Sequence, residues 1–130
     1  MADLYVVDTH VLIWYFTGSK RLKPVLREKI DEIRNSNGRL LVPTIVLAEA
    51  FDIAEKGRVE FDFVEMERVI REESVFEIIS FSPEIFTTVT QVRNVPELHD
   101  RIIVATARFY GAGILTKDRE ILASGEVRPL

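Results

Sequence analysis

The chain has no cysteine. Disulfide frameworks and thiolate zinc sites are therefore excluded, and a reducing, cytosolic home is compatible with that composition. No apolar run is long enough for a membrane. The longest, Val11 to Phe16, falls far short of the roughly 20 residues that a spanning helix needs. The first residues carry Asp3 and Asp8 and no basic leader, so they do not read as a secretion signal. These absences together place the protein in the cytoplasm, with no membrane contact. Repeats, low-complexity segments and interdomain linkers are also missing. Positive charge is not in excess: 17 Lys and Arg stand against 21 Asp and Glu, for a formal net charge of −4. A large surface for coating DNA is normally basic, and this composition argues against one. What is present is a chain of 130 residues, 47% hydrophobic and 29% charged. That suits one domain spanning residues 1–130, able to bury a core without covalent staples.

Strand and helix signals alternate along it. Leu4-Tyr5-Val6-Val7 reads as a buried strand, followed by a short helix over Thr9 to Phe16 that Gly18 and Ser19 break. Pro24 opens a second helix, with Leu22, Leu26, Ile30 and Ile33 on one face and Asn37-Gly38 at its end. Arg39 to Val42 is a second strand closed by Pro43, and Thr44 is placed to cap the helix that contains Glu49 and stops at Gly57. Phe63, Met66 and Ile70 mark another amphipathic helix. Phe76 to Phe81 is a third strand, and Ser82-Pro83 starts a helix. After Pro96 comes a longer helix with Leu98, Ile102, Ala105 and Phe109 on one face, ended by Gly111 and Gly113. Ile114-Leu115 is a fourth strand, and Val127 belongs to a weak fifth. Strands separated by helices imply crossovers. The expected fold is α/β: a mainly parallel sheet of four to five strands with helices on both faces. Sites in such sheets form beyond the carboxyl ends of the strands.

Four acids bear on that rule. Asp8 directly follows the first strand, and Asp118 follows the fourth through Thr116 and Lys117. With parallel strands, both carboxylates emerge at one edge. Glu49 lies in Ile45-Val46-Leu47-Ala48-Glu49-Ala50-Phe51, apolar on almost every side. A helix of that kind is normally buried, where a lone carboxylate is costly. Asp100 falls in the first turn of its helix, where negative charge suits the dipole. Singly, each has a plain structural reading: Asp8 as a helix cap, Asp118 as a turn residue, Asp100 as a dipole partner, Glu49 as half of an ion pair. Brought together, the carboxylates repel and raise one another's pKa, and a divalent cation relieves the repulsion. An oxygen-only set favours Mg²⁺ or Mn²⁺ over zinc. Such a centre suits phosphodiester hydrolysis by metal-activated water, with no side-chain nucleophile. Bound cations offset the acidic charge, so the net charge does not exclude a nuclease.

The series Val7-Asp8-Thr9-His10-Val11-Leu12-Ile13-Trp14, then Leu47-Ala48-Glu49, then His99-Asp100-Arg101-Ile102-Ile103-Val104-Ala105-Thr106-Ala107, then Leu115-Thr116-Lys117-Asp118 resembles the PIN-domain ribonucleases. Within that family it is most similar to the VapC-type toxins of prokaryotic toxin–antitoxin pairs. The resemblance extends over essentially the whole chain and implies a parallel sheet flanked by helices and Mg²⁺- or Mn²⁺-dependent cleavage of RNA. By position it implies that Asp8, Glu49, Asp100 and Asp118 are the catalytic, metal-binding acids. Thr9 and Thr116 match hydroxyl positions beside them. His10 stands where the family often has asparagine or serine. The resemblance also implies two partners, an antitoxin protein and a second copy of the chain in a homodimer.

Other residues have two readings. His99 reads as a surface histidine or one supporting the acids, and His10 as packing or interface. The all-apolar helix from Val11 to Phe16, with Trp14, Tyr15 and Phe16, reads as core whose uncovered side meets a partner, a second copy before an antitoxin. Lys20, Arg21, Lys23 and Arg27 form a basic cluster. Arg101, Lys117 and Arg119 adjoin the acids in sequence and are candidate phosphate contacts, with solvated surface as the alternative. Two further functions compete with the ribonuclease. A Mg²⁺-binding phospho-receiver module also clusters acids at strand ends, but the chain shows no acidic pair after the first strand and no mid-chain phosphoacceptor strand. A catalytically silent PIN scaffold is disfavoured by the presence of all four acids. DNA cleavage is open to the same chemistry.

Overall fold

The computed structural model describes residues 3–129. In chain order the elements are β1 (Leu4–Val7), α1 (Thr9–Thr17), α2 (Pro24–Arg34), β2 (Arg39–Pro43), α3 (Thr44–Glu55) and α4 (Phe63–Glu72). There follow β3 (Phe76–Ile79), α5 (Pro83–Val89), α6 (Leu98–Tyr110), β4 (Gly113–Leu115), α7 (Arg119–Ala123) and β5 (Arg128–Pro129). All pairings are parallel and the strand order is β3-β2-β1-β4-β5. Four strands carry the sheet, and β5 adds two residues at its edge. The chain moves outward from β1 through β2 to β3, then returns to the other side of β1 with β4. That reversal makes the boundary between β1 and β4 the switch point of the sheet.

Burial explains why these segments are strands. Neighbouring residues on a strand face opposite ways, yet Val6 and Val7 are both buried, as are Leu40, Leu41 and Val42. The sheet is therefore covered on both faces, as a parallel sheet requires. The helices that cover it begin and end where local chemistry dictates. Pro24 is the first residue of α2, where its fixed φ suits the helix and no N–H is needed. The apolar stripe of α2, Leu26, Ile30 and Ile33, is buried. Gly18 closes α1 at φ 66°, its N–H reaching the carbonyls of Trp14 and Tyr15, a conformation that glycine adopts without steric cost.

Several sequence-based expectations shift. Thr44 does not cap α3 but is its first residue, with Pro43 at the cap position and no side-chain cap bond. The third strand ends at Ile79, two residues before Phe81, and the fifth begins just after Val127. The helix around Glu49 is not buried all round. Only Val46 and Ala50 are buried, a single stripe spaced by four, and Phe51 is half exposed. In α6 the buried block runs without a break from Ile102 to Ala107, while Leu98 and Phe109 are exposed. Its middle packs against α3, α5, β1 and β4 together, so no dry face and wet face exist there. The first helix divides along its length: Val11, Leu12 and Ile13 are core, whereas Trp14, Tyr15 and Phe16 are partly covered by the chain itself. The Tyr15 hydroxyl donates to Asp31 at 2.6 Å and accepts from Arg34 at 3.0 Å. Among the described residues no helix is long and apolar enough to cross a membrane.

Candidate active site

The carboxyl edge of β1 and β4 carries a small cavity of about 130 Å³. Asp8, Thr9, Glu49, Asp100, Lys117 and Asp118 line it, with His10 at its rim. All four acids singled out from the sequence therefore meet one cavity, at the switch point. Each is delivered by a different device. Asp8 leaves β1 with its N–H bonded to the Leu115 carbonyl of β4 at 3.1 Å, which ties the two strand ends together. It then caps α1, one carboxylate oxygen accepting from the Val11 N–H at 3.0 Å. Asp118 caps α7 in the same way, accepting from the N–H groups of Glu120 at 2.8 Å and Ile121 at 3.1 Å. Asp100 is the third residue of α6, and its own N–H donates to Glu97, the cap of that helix, at 3.1 Å. Glu49 arrives from the middle of α3. Three helices thus point their N-terminal ends, with their partial positive charge, at one acidic cavity.

The two threonines hold the acids. Thr116 is buried, donates to the second oxygen of Asp8 and accepts from the Asp118 N–H at 3.0 Å. Thr9 is buried and donates to Glu49 at 2.8 Å. Without Thr116 a buried carboxylate oxygen would lose its donor. Thr116→Val keeps the shape and removes the hydroxyl, and is expected to lower stability by about 1 kcal/mol; Thr116→Ser should restore most of it. Parallel urea denaturation of the three proteins checks this, and equal stability of the valine and wild-type forms would show that the bond carries nothing.

Crowding shows in the protonation of these groups. Burial is the main reason the Asp100 carboxyl is pushed up to about 7, and the charges of Asp118, Glu97 and Asp8 add to it. Burial also raises Asp8 above the usual carboxylate range, against the bonds from Thr116 and Val11 that favour its charged form. The donor set is wholly oxygen and carries more negative charge than it can comfortably keep. That is the chemistry of a site for a hard divalent cation. Among the described residues, no three acidic or histidine side chains converge closely enough to grip an ion as they stand. The acids share a cavity rather than a point, so gripping an ion requires side-chain rotation within it.

The remaining candidates separate. Lys117 lines the cavity and lies 5.9 Å over the Trp14 ring. Arg101 does not: its guanidinium turns back to the Val95 carbonyl. Arg119 is likewise not part of the lining. Successive residues on a helix point about 100° apart, so adjacency to an acid in sequence does not by itself bring Arg101 into the cavity. His99 sits beside the acids rather than among them, its Nδ1 3.0 Å from Glu97 and 3.6 Å from Glu49. Sequence reading passed over Glu97, which caps α6, holds His99 and presses on the Asp100 carboxyl. An acid three residues before Asp100 at a helix start was the available signal.

Comparison with known proteins bears on the fold and the family. No curated relative matches the chain by sequence. Among solved structures, it is similar to one described as VapBC2 from Rickettsia felis bound to a promoter DNA fragment, at 16% identity and TM-score 0.75 over 98% of this chain and 97% of that one. A toxin–antitoxin complex from Klebsiella pneumoniae is similar at 21% identity and TM-score 0.66, over 95% and 94% of the two chains. VapC20 from Mycobacterium tuberculosis, described as a toxin that cleaves the sarcin–ricin loop, is similar at 18% identity and TM-score 0.63, over 96% and 99%. At those identities the likeness speaks for the fold alone. The family model for the PIN domain matches residues 5–125, a span that runs from the second residue of β1 past α7 and holds all four cavity acids, and the chain therefore belongs to the PIN domain family.

Proposed function

We propose that the protein is a Mg²⁺- or Mn²⁺-dependent endoribonuclease, the toxin of a toxin–antitoxin pair. The observation that carries this reading is the delivery of Asp8, Glu49, Asp100 and Asp118 to one cavity at the sheet's switch point. A divalent ion held by these carboxylates would make a water more acidic and neutralise charge on the phosphate and the leaving oxygen. The chain's own residues do the rest. The Thr116 hydroxyl donates to Asp8 and the Thr9 hydroxyl to Glu49, which orients the two carboxylates at the cavity. The Asp100 carboxyl, pushed up to about 7 chiefly by burial, would give up its proton on holding a cation. Lys117 stands at the cavity wall where a phosphate of the substrate would lie.

The similarity to structures described as VapBC2 on promoter DNA and as a toxin–antitoxin complex supports an antitoxin protein as the natural partner, and a homodimer is the working form that the family resemblance implies. Exposed apolar side chains, among them Phe51, Val64, Phe86 and Leu98, offer surface for such contacts. The whole chain from 1 to 130 is read as one nuclease domain.

The test is cleavage of labelled single-stranded RNA by purified protein in Mn²⁺, with a chelator control and Asp8→Asn alongside. Wild type should cut, and both the chelator and the substitution should abolish cutting. Cleavage of equal rate in the variant would assign the activity to a contaminant and remove the support for an enzyme.

A further inference from the structure

We propose that single-stranded RNA leaves the acid cavity along a track over His10, Trp14, Arg58 and Arg21, with Trp14 as a stacking platform and the two arginines as phosphate contacts. This rests on the ribonuclease reading and extends it to where the strand lies. Three hollows share walls in sequence. The acid cavity shares His10 and Glu49 with a larger hollow of about 510 Å³. That hollow shares Arg58 and Val59 with a third of about 230 Å³, which Trp14 and Arg21 also line. The middle hollow has the volume of a small-molecule site and an apolar floor from Ile45, Ile53 and Val59.

Of the two carboxylates that line it, Asp52 is paired with Lys56 at 3.0 Å, and Glu49 also belongs to the acid cavity, where a bound cation would offset its charge. Arg58, Arg21 and Lys117 take part in no ion pair among the described residues. One unpaired cation thus stands at each stage: Lys117 at the acids, Arg58 between the outer hollows, Arg21 at the far end. Aromatic faces connect them. The His10 and Trp14 rings are 5.6 Å apart, and the Lys117 ammonium lies over Trp14. Cations alternating with ring faces along a groove are what a single strand needs, because every base can stack and every linkage carries a charge.

Trp14 is the chain's one tryptophan, which gives the test its own signal. In the Asp100→Asn form, kept from cutting, a short single-stranded RNA should quench tryptophan fluorescence on binding. Arg58→Ala and Arg21→Ala added to that form should each weaken binding about tenfold at low salt and reduce the slope of log K against log salt by about 0.7. Arg71→Ala, the same charge change on α4, should leave both unchanged. RNA binding without quenching, or equal weakening by Arg58→Ala and Arg71→Ala, overturns the track and leaves the ribonuclease reading standing. Binding of RNA indifferent to all three arginines would assign the hollows to another occupant, such as a protein segment. No RNA binding by the Asp100→Asn form would count against both ideas.

Discussion

Asp100→Asn should make the metal-free protein more stable while abolishing the proposed cleavage of RNA. The two effects have one origin. In the folded chain the Asp100 carboxyl is pushed up to about 7 by burial and by the charges of Asp118, Glu97 and Asp8. In the unfolded chain it titrates near 3.8, as an ordinary aspartate does. Between those values the folded state holds a proton that the unfolded state has lost. Stability from this group is therefore full at low pH and falls as pH rises from about 4 to about 7. Above neutral pH the ionised carboxylate is a net burden. Asparagine removes it for the loss of a small dipole interaction at the start of α6. Allowing for solvent screening at a half-buried group, the gain should be about 1–2 kcal/mol at pH 8, or about 4–6 °C in Tm. At pH 4 the two proteins should melt together. Added Mn²⁺ should raise the Tm of wild type at pH 8 and have little effect on the variant, because a ligand of the folded state stabilises it by mass action. Cleavage should fall by about 100-fold or more, as expected when a transition-state charge loses its partner. Melting curves at pH 4, 6 and 8 with and without Mn²⁺ check all of this. A Tm of the variant below wild type at pH 8 would mean that Asp100 is structural and the crowding harmless.

Gly113→Ala should be among the most damaging single-methyl changes in the chain. Gly113 opens β4 and pairs with Tyr5 on one side and Arg128 on the other. A Cβ there would stand 2.5 Å and 2.8 Å from two carbons of the Tyr5 ring and 3.1 Å from the Arg128 carbonyl oxygen. The ring cannot simply swing away, being buried and flanked by Lys29 at 5.4 Å and Arg128 at 5.6 Å. Backbone movement of β5 is the remaining route. We expect a loss of about 2–3 kcal/mol, seen as a fall of about 8 °C in Tm. The double variant Tyr5→Leu/Gly113→Ala should recover part of the loss relative to Tyr5→Leu alone, since the smaller side chain makes room. Additive effects in that cycle would place the strain elsewhere. Gly113 reads in sequence only as a helix stop, and nothing local to it signals this contact.

The difference between what could and could not be read lies in the range of the interactions. Strand 1 and the second helix were legible because their signals are local: a β-branched apolar run, a proline at a helix start, a stripe spaced by three and four. The positions of Asp8 and Asp118 followed from the parallel sheet, since both come directly after strands. Glu49 was noticed for a reason that does not hold. Its helix is buried along one stripe only, and the glutamate reaches the cavity because Thr9, forty residues away in sequence, holds it there. The same blindness to distant partners put Leu98 and Phe109, both exposed, on one face with buried Ile102 and Ala105. Which side of a helix is covered depends on what crosses it, and no periodicity records that.

Asp8 and Asp118 each cap a helix with the same carboxylate that lines the cavity, whereas Asp100 caps nothing. Folding and chemistry thus press on these positions differently. In a lineage released from the chemistry, Asp8 and Asp118 should drift toward asparagine and serine, which cap as well, and rarely toward alanine. Asp100, a burden to the empty fold, should be the first acid to go. Retention of the two capping acids is then a record of helix geometry, and the residue at position 100 is the sharper witness to whether a descendant keeps the proposed activity.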